Sequence, residues 1–156
     1  MEDARVADDA ELARVAELAR ELREELSAER GGPLWATREA RPEPLDTAVV
    51  ELSRRDDALV VVGTTEDVVV GYGIARWETL RDDTRLGVID EIYVEPEARG
   101  VGVGELVVER LVAFCLDSGC LGVDATALPG HRQAKNFFER AGFSARSLVM
   151  HRARGR

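Results

Sequence analysis

A strand that runs through a glycine-rich loop straight into a helix is the feature that most limits how this chain can fold. Residues 86–94 form a run rich in β-branched and aromatic side chains, and Glu95-Pro96 ends it, because proline cannot donate to a sheet ladder. Arg99-Gly100-Val101-Gly102-Val103-Gly104 comes next, and then Leu106, Val107, Leu111 and Phe114 recur at helical spacing as far as Asp117. The strand needs a sheet to join and the helix needs a layer on which to bury its apolar face. That requirement is met by an α/β arrangement.

The flanking segments fit the same arrangement. Residues 4–7 read as a first strand, and Asp8 or Asp9 offers a side-chain oxygen to cap the next helix. Leu12, Val15, Leu18, Leu22 and Leu26 lie on one helical face, giving a helix of about six turns or two shorter ones, stopped by Gly31-Gly32-Pro33. Segment 33–44 holds Pro33, Pro42 and Pro44 and is too proline-rich to be regular throughout. A second helix is expected over about 45–55. Two β-branched runs, 59–62 and 68–75, read as an antiparallel hairpin across Thr64-Thr65-Glu66-Asp67. Downstream come a strand over 121–127, a Pro129-Gly130 turn, a helix over 131–140 capped by Gly142, and a last strand over 147–151. The order β-α-α-β-β-β-α-β-α-β predicts a mixed α/β sheet with helices on both faces, in one domain over 1–156.

Charge narrows the partners. The net of −9 lacks the basic footprint of a nucleic-acid binder and suits a cationic small molecule or basic peptide better. No apolar run approaches the ~18 residues that span a bilayer, and Met1 to Arg5 lacks the order of a signal peptide, so the expected setting is cytoplasmic, away from membranes. Cys115 and Cys120 have no neighbouring ligand at metal spacing and read as small core residues, with neither disulfide nor metal expected.

The strand-to-helix junction suits an anion. Glycines let backbone N–H groups approach a ligand, and a helix start adds unpaired donors and a positive dipole end, which together fit a pyrophosphate. Spacing decides among the known phosphate loops. No lysine follows these glycines as a P-loop requires, and Val107 stands where the last glycine of a dinucleotide fingerprint would fall when Gly102 is its first.

What the residues do match is R-x-x-G-x-G, as Arg99-Gly100-Val101-Gly102-Val103-Gly104, preceded by Val94 and Pro96. This resembles the signature of the GNAT superfamily of N-acetyltransferases. A second stretch, His131-Arg132-Gln133-Ala134-Lys135-Asn136-Phe137-Phe138-Glu139-Arg140-Ala141-Gly142-Phe143, resembles that family's N-x-x-A-x-x-F-Y-x-x-x-G-F, with His131 in place of Asn and Phe138 in place of Tyr. The element order over nearly the whole chain is similar too.

The resemblance implies a mostly antiparallel central sheet with splayed central strands, acetyl-CoA as acyl donor, and an amine of a small molecule or peptide as acceptor, in a possible homodimer. It implies that the backbone of Ile92, Tyr93 and Val94 pairs with the pantetheine arm, and that the amides of Gly100, Val101, Gly102, Val103 and Gly104, with Arg99, hold the pyrophosphate. The N–H of Val94 would polarise the thioester carbonyl. Lys135 is placed to meet the 3′-phosphate, and Phe138 lies where the family's usual acid does.

Attack by an amine needs a base. Candidates are Glu91, Asp90 and Asp124, with Glu91 preferred and acting through water. Strand alternation puts Asp90 on the face of Ile92 and Val94, and Glu91 on the face of Ile89 and Tyr93. The plain alternative is that these acids form salt bridges with arginines such as Arg76. A phenyl ring at 138 cannot donate a proton, so the acid role is vacant or passes to Tyr93, Tyr72 or His131, unless the CoA thiolate leaves unaided. Trp35 is the aromatic best placed to line an acceptor pocket. Because the phenol is missing, the alternative function is a non-catalytic acyl-CoA-binding sensor.

Overall fold

The computed structural model describes residues 1–155. Among them, five strands form one sheet in the order β1 (Glu2–Val6), β2 (Ala58–Thr65), β3 (Val68–Thr79), β4 (Arg85–Val94) and β5 (Cys120–Ala125). The first four are antiparallel neighbours, and β5 joins β4 in parallel. Parallel neighbours cannot be closed by a tight turn, and the crossover is the long helix Val103–Asp117. In chain order the helices are α1 (Leu12–Ser27), α2 (Gly32–Arg38), α3 (Leu45–Ser53), α4 (Val103–Asp117) and α5 (Arg132–Arg140).

Both faces of the sheet are covered. On one, Leu12, Val15, Leu18 and Leu22 of α1 and Val49 of α3 pack with Val60, Val62, Tyr72 and Ile74. On the other, Val103, Val107, Leu111 and Cys115 of α4 pack with Val61, Ala75, Ile89 and Phe138. Each such side chain contributes about 1.5–3 kcal/mol relative to exposure. Helix α4 lies close to the sheet because three adjacent strands present glycine beneath it. A Cβ built on Gly63 would stand 2.5 Å from Val103, one on Gly73 2.7 Å from Val107 and Leu111, and one on Gly87 2.6 Å from Cys115.

The chain enters α1 through a short 3₁₀ turn, Asp9–Glu11, closed by a capping box in which Asp8 accepts from the Glu11 N–H and Glu11 accepts from the Asp8 N–H, both at 3.1 Å. Arg5 on β1 holds the same Glu11 carboxylate in a fork at 2.6 and 2.7 Å.

Three expectations are corrected. Gly31-Gly32-Pro33 does not only stop a helix: Gly31 turns the chain at φ +84° and Pro33 lies in the first turn of α2, where its missing N–H costs nothing. The expected strand over 147–151 is absent. Leu148, Val149 and Met150 are 81%, 87% and 87% exposed, and no layer covers them to compensate the ordering of a strand. Leu106, expected on the apolar face of α4, is 39% exposed, whereas Val108 is buried.

Candidate active site

The site is organised by an irregularity in β4. Ile74 of β3 pairs with Glu91 and Ala75 pairs with Ile89, so Asp90 is an extra residue on β4, a bulge. Simple alternation fails across it. Ile89 faces α4, whereas Tyr93, four residues on, packs with α1. The expectation that Glu91 shares a face with both Ile89 and Tyr93 is therefore wrong, and so is the assignment of Asp90 and Glu91 to opposite faces. Both carboxylates meet one guanidinium: Arg41 Nη2 lies 2.7 Å from Glu91 and 3.7 Å from Asp90.

Past the bulge the sheet splits. Pairing with β5 runs from Arg85 to Ile89 and stops there, leaving residues 91–94 paired with β3 alone. The Glu95 N–H donates to Val70 O on the β3 side, so by alternation the N–H and C=O of Val94 and Ile92 face the open side. Arg99 marks that edge. Its Nε donates to Val94 O at 2.7 Å, its Nη2 pairs with Glu25 of α1 at 2.9 Å, and its guanidinium lies over the Tyr93 ring. Glu25 also faces His131, the residue before α5, at 3.5 Å.

The glycine loop adjoins this edge. Gly100 and Gly102 sit at φ +87° and +96°, a region that costs glycine nothing, and Gly102 is the N-cap of α4. The first bond of the helix is Leu106 N–H to Gly102 O, and the amides of residues 100–105 donate to no acceptor among the described residues. A row of free amides at a helix start is a ready anion site. Gly104 lies against Phe137 of α5, which ties the two family-like stretches together in space.

Beside the split, a cavity of about 480 Å³ is walled by α1, α2, the 39–42 loop and β4. Glu91 lies at its base, its side chain 9% exposed. Its Oε2 accepts from Arg41 Nε at 2.8 Å as well as from Nη2, and its Oε1 accepts from the Tyr72 hydroxyl at 2.7 Å. A carboxylate has about four lone-pair sites, so one on Oε1 stays free. Asp90 accepts from Arg76 Nε at 2.9 Å through Oδ2, the salt bridge weighed from the sequence, while Oδ1 has no partner among the described residues. A smaller cavity, lined by Ile92, His131 and Phe138, continues along the split, and Trp35 borders both.

The other candidates lie elsewhere. Asp124 borders neither cavity and is held by Arg146 of the C-terminal segment. Lys135 is exposed on α5 and pairs with Glu139 at 3.3 Å. The Tyr93 hydroxyl points to α1, 3.2 Å from Glu21. Phe138 is buried edge-to-face between Phe137 and Phe143. Sequence reasoning misses Arg41 altogether. It stands in the proline-rich loop, fifty positions before its partner Glu91, and no local pattern links the two.

Two phenols and two thiols of the core are shifted upward, Cys120 by burial. Burial, then Glu21 and Glu25, pushes the Tyr93 phenol up to about 12, burial beside Cys120 pushes the Cys115 thiol up to about 11, and burial against Glu91 raises Tyr72 well above its usual range. The folded state thus keeps these protons after the unfolded chain has lost them. Their stabilisation is complete below about pH 8 and drains away as the pH climbs toward about 12. Urea titrations are expected to lose roughly 5 kcal/mol between about pH 8 and pH 11, and an unchanged midpoint would contradict the burial of these groups.

A sheet split along one edge, with a helix start full of free donors beside the split, defines an α/β fold whose loop-to-helix corner has the chemistry to suit an anion. The chain belongs to the acetyltransferase (GNAT) family, whose model matches residues 15–143. It is 30% identical over 74 residues to thialysine N-epsilon-acetyltransferase of Bos taurus, covering 47% of this chain and 44% of that protein. It is 30% identical over 98 residues to glucosamine 6-phosphate N-acetyltransferase 1 of Oryza sativa subsp. japonica, covering 60% and 58%. The chain thus spans about half the length of these curated relatives. Among solved structures, the aminoglycoside N-acetyltransferase AAC(6')-Iy, crystallised with a bisubstrate analogue of CoA, superposes with a TM-score of 0.75 at 17% identity over 99% of both chains. Among the described residues no helix is long and apolar enough to cross a membrane.

Proposed function

We propose that this chain transfers an acetyl group from acetyl-CoA to an amine of a small molecule or peptide by direct attack, as one domain over residues 1–156 acting in the cytoplasm. The observation that carries this reading is the adjacency of free amides at residues 100–105 to the unpaired β4 edge at Ile92 and Val94. Those donors fit a diphosphate, and the edge fits an amide-bearing arm added as a further strand. For the arm to reach Val94, Arg99 must release the carbonyl it now holds.

The N–H of Val94 then supports charge developing on the thioester oxygen. The acceptor nitrogen, arriving neutral, forms a C–N bond as the C–S bond breaks. CoA leaves as thiolate, and the nitrogen gives up a proton. Glu91 receives that proton through water at the free site on Oε1, held in place by Tyr72 and Arg41. Phe138 supplies no acid, so the thiolate leaves unaided.

Calorimetric titration with acetyl-CoA, followed by thiol release with a panel of amines, tests the reading. No binding at about millimolar ligand would end it. Binding without thiol release from any amine would favour the acyl-CoA sensor, the reading that the buried phenyl at 138 keeps open. Glu91→Gln is expected to lower kcat by roughly 10²-fold with little change in acetyl-CoA affinity, and an unchanged pH–rate profile would remove Glu91 as base. Tyr72→Phe removes only the 2.7 Å bond to Glu91 and should lower kcat less, by roughly tenfold. The possible homodimer is checked by the mass in solution.

A further inference from the structure

The wall of the larger cavity runs against the charge of the molecule. The chain carries −9 overall, yet Arg23, Arg38, Arg41 and Arg76 line this cavity against only Glu39, Asp90 and Glu91, four cations to three anions. The partners are unevenly shared. Arg41 and Arg76 are neutralised by Glu91 and Asp90 at the base. Arg38, at the end of α2, has among the described residues only its sequence neighbour Glu39 at 3.4 Å and is 72% exposed. Half-buried Arg23 on α1 donates to the carbonyls of Arg41 and Ala36 at 3.1 and 3.0 Å and meets no carboxylate within 4.0 Å among the described residues.

A guanidinium has five donors, and Arg23 uses two of them on main chain. A partly desolvated cation without a counter-ion is costly unless something outside the chain supplies one. At the base of the same cavity, Asp90 Oδ1 and one site on Glu91 Oε1 are free to accept. Positive donors on the α1–α2 side and carboxylate oxygens against β4 make a site with two unlike poles. Its volume of about 480 Å³ is that of a small-molecule pocket.

The geometry points to an acceptor that is a small amine carrying its own oxyanion, a carboxylate or a phosphate, with the anion taken by Arg23 and Arg38 and the nitrogen directed to Glu91 and Asp90. This rests on the acetyl-transfer reading for the direction of the amine. It reverses the expectation drawn from net charge: polycationic amines meet Arg23, which has no carboxylate within 4.0 Å among the described residues, and exposed Arg38, which is paired with its neighbour Glu39.

Matched pairs of ligands test it. Short ω-amino carboxylates are set against alkylamines of equal chain length, and aminoalkyl phosphates against the parent amino alcohols. Equilibrium binding is measured by calorimetry with CoA present, and thiol release is measured separately. The anionic member of a pair is expected to bind about tenfold or more tightly, and Arg38→Glu, a change at an exposed position, is expected to erase or invert that preference. The pair with the larger ratio shows whether the oxyanion is carboxylate or phosphate. Equal binding within both pairs, tighter binding of the uncharged-tail member, or no binding of any anionic probe overturns the inference. Thiol release from amines without an anion would leave acetyl transfer standing in that case. A binding preference without any thiol release would instead support the two-pole site and remove the transfer reading.

Discussion

Replacing Gly102 by valine is expected to abolish acetyl-CoA binding while the circular dichroism spectrum stays that of the folded chain. Gly102 holds φ +96° as the N-cap of α4, a conformation that a β-branched residue adopts only under strain. Its added side chain would stand in open space, with no protein atom within 4 Å, so the interior is spared and the approach to the free amides is not. Bonds from backbone donors to a charged acceptor are worth about 1.5–3 kcal/mol each, and losing two lowers affinity by about a hundredfold or more. Gly102→Asn separates blocking from strain, because asparagine tolerates the left-handed region. Retained affinity in the valine variant would contradict the anion corner. Gly104→Val is a poorer probe, since its Cβ would press on Phe137 at 3.1 Å and disturb α5 as well.

The second large effect is expected at Gly73. Valine there places Cβ 2.7 Å from both Val107 and Leu111, which are buried side chains of α4 with nowhere to move. Overpacking of this kind costs typically about 1–3 kcal/mol, and relief requires α4 to lift from the sheet. The helix carries the loop with it, so acetyl-CoA affinity should fall together with stability. Urea and calorimetric titrations read the two effects. Gly122→Val on β5 is the control: its Cβ meets nothing, and a shift within about 0.5 kcal/mol is expected. If Gly73→Val bound acetyl-CoA normally, the link between helix seating and coenzyme site would be wrong.

The parts of the molecule legible in the sequence are those set by local chemistry. The β2–β3 hairpin, helix α4 and the glycine corner all stem from periodicity, from Glu66-Asp67 in the tight turn at positive φ, and from glycines at positive φ. The split edge at Ile92 and Val94 is reached through family resemblance, not through the residues themselves, and the register of β4 with β5 agrees with it. The features that escape are set by distant partners. The bulge at Asp90 leaves no trace in a strand whose neighbours read equally well in either phase, so simple alternation sends the two carboxylates to opposite faces. Arg41 acquires meaning only when the 39–42 loop folds over β4. Asp124, an attractive acid by sequence, is drawn away by Arg146, a residue in a tail whose apolar run reads as a strand.

One extra peptide unit in β4 changes the allegiance of everything after it. Before it Gly87 and Ile89 face α4, and after it Glu91 and Tyr93 face the opposite chamber while Ile92 and Val94 take over the α4 side. The ledge that would receive a donor and the hollow that would receive an acceptor are in this way kept within one residue of each other, on a single piece of backbone. Removing that unit would shift the frame of the strand and part the two.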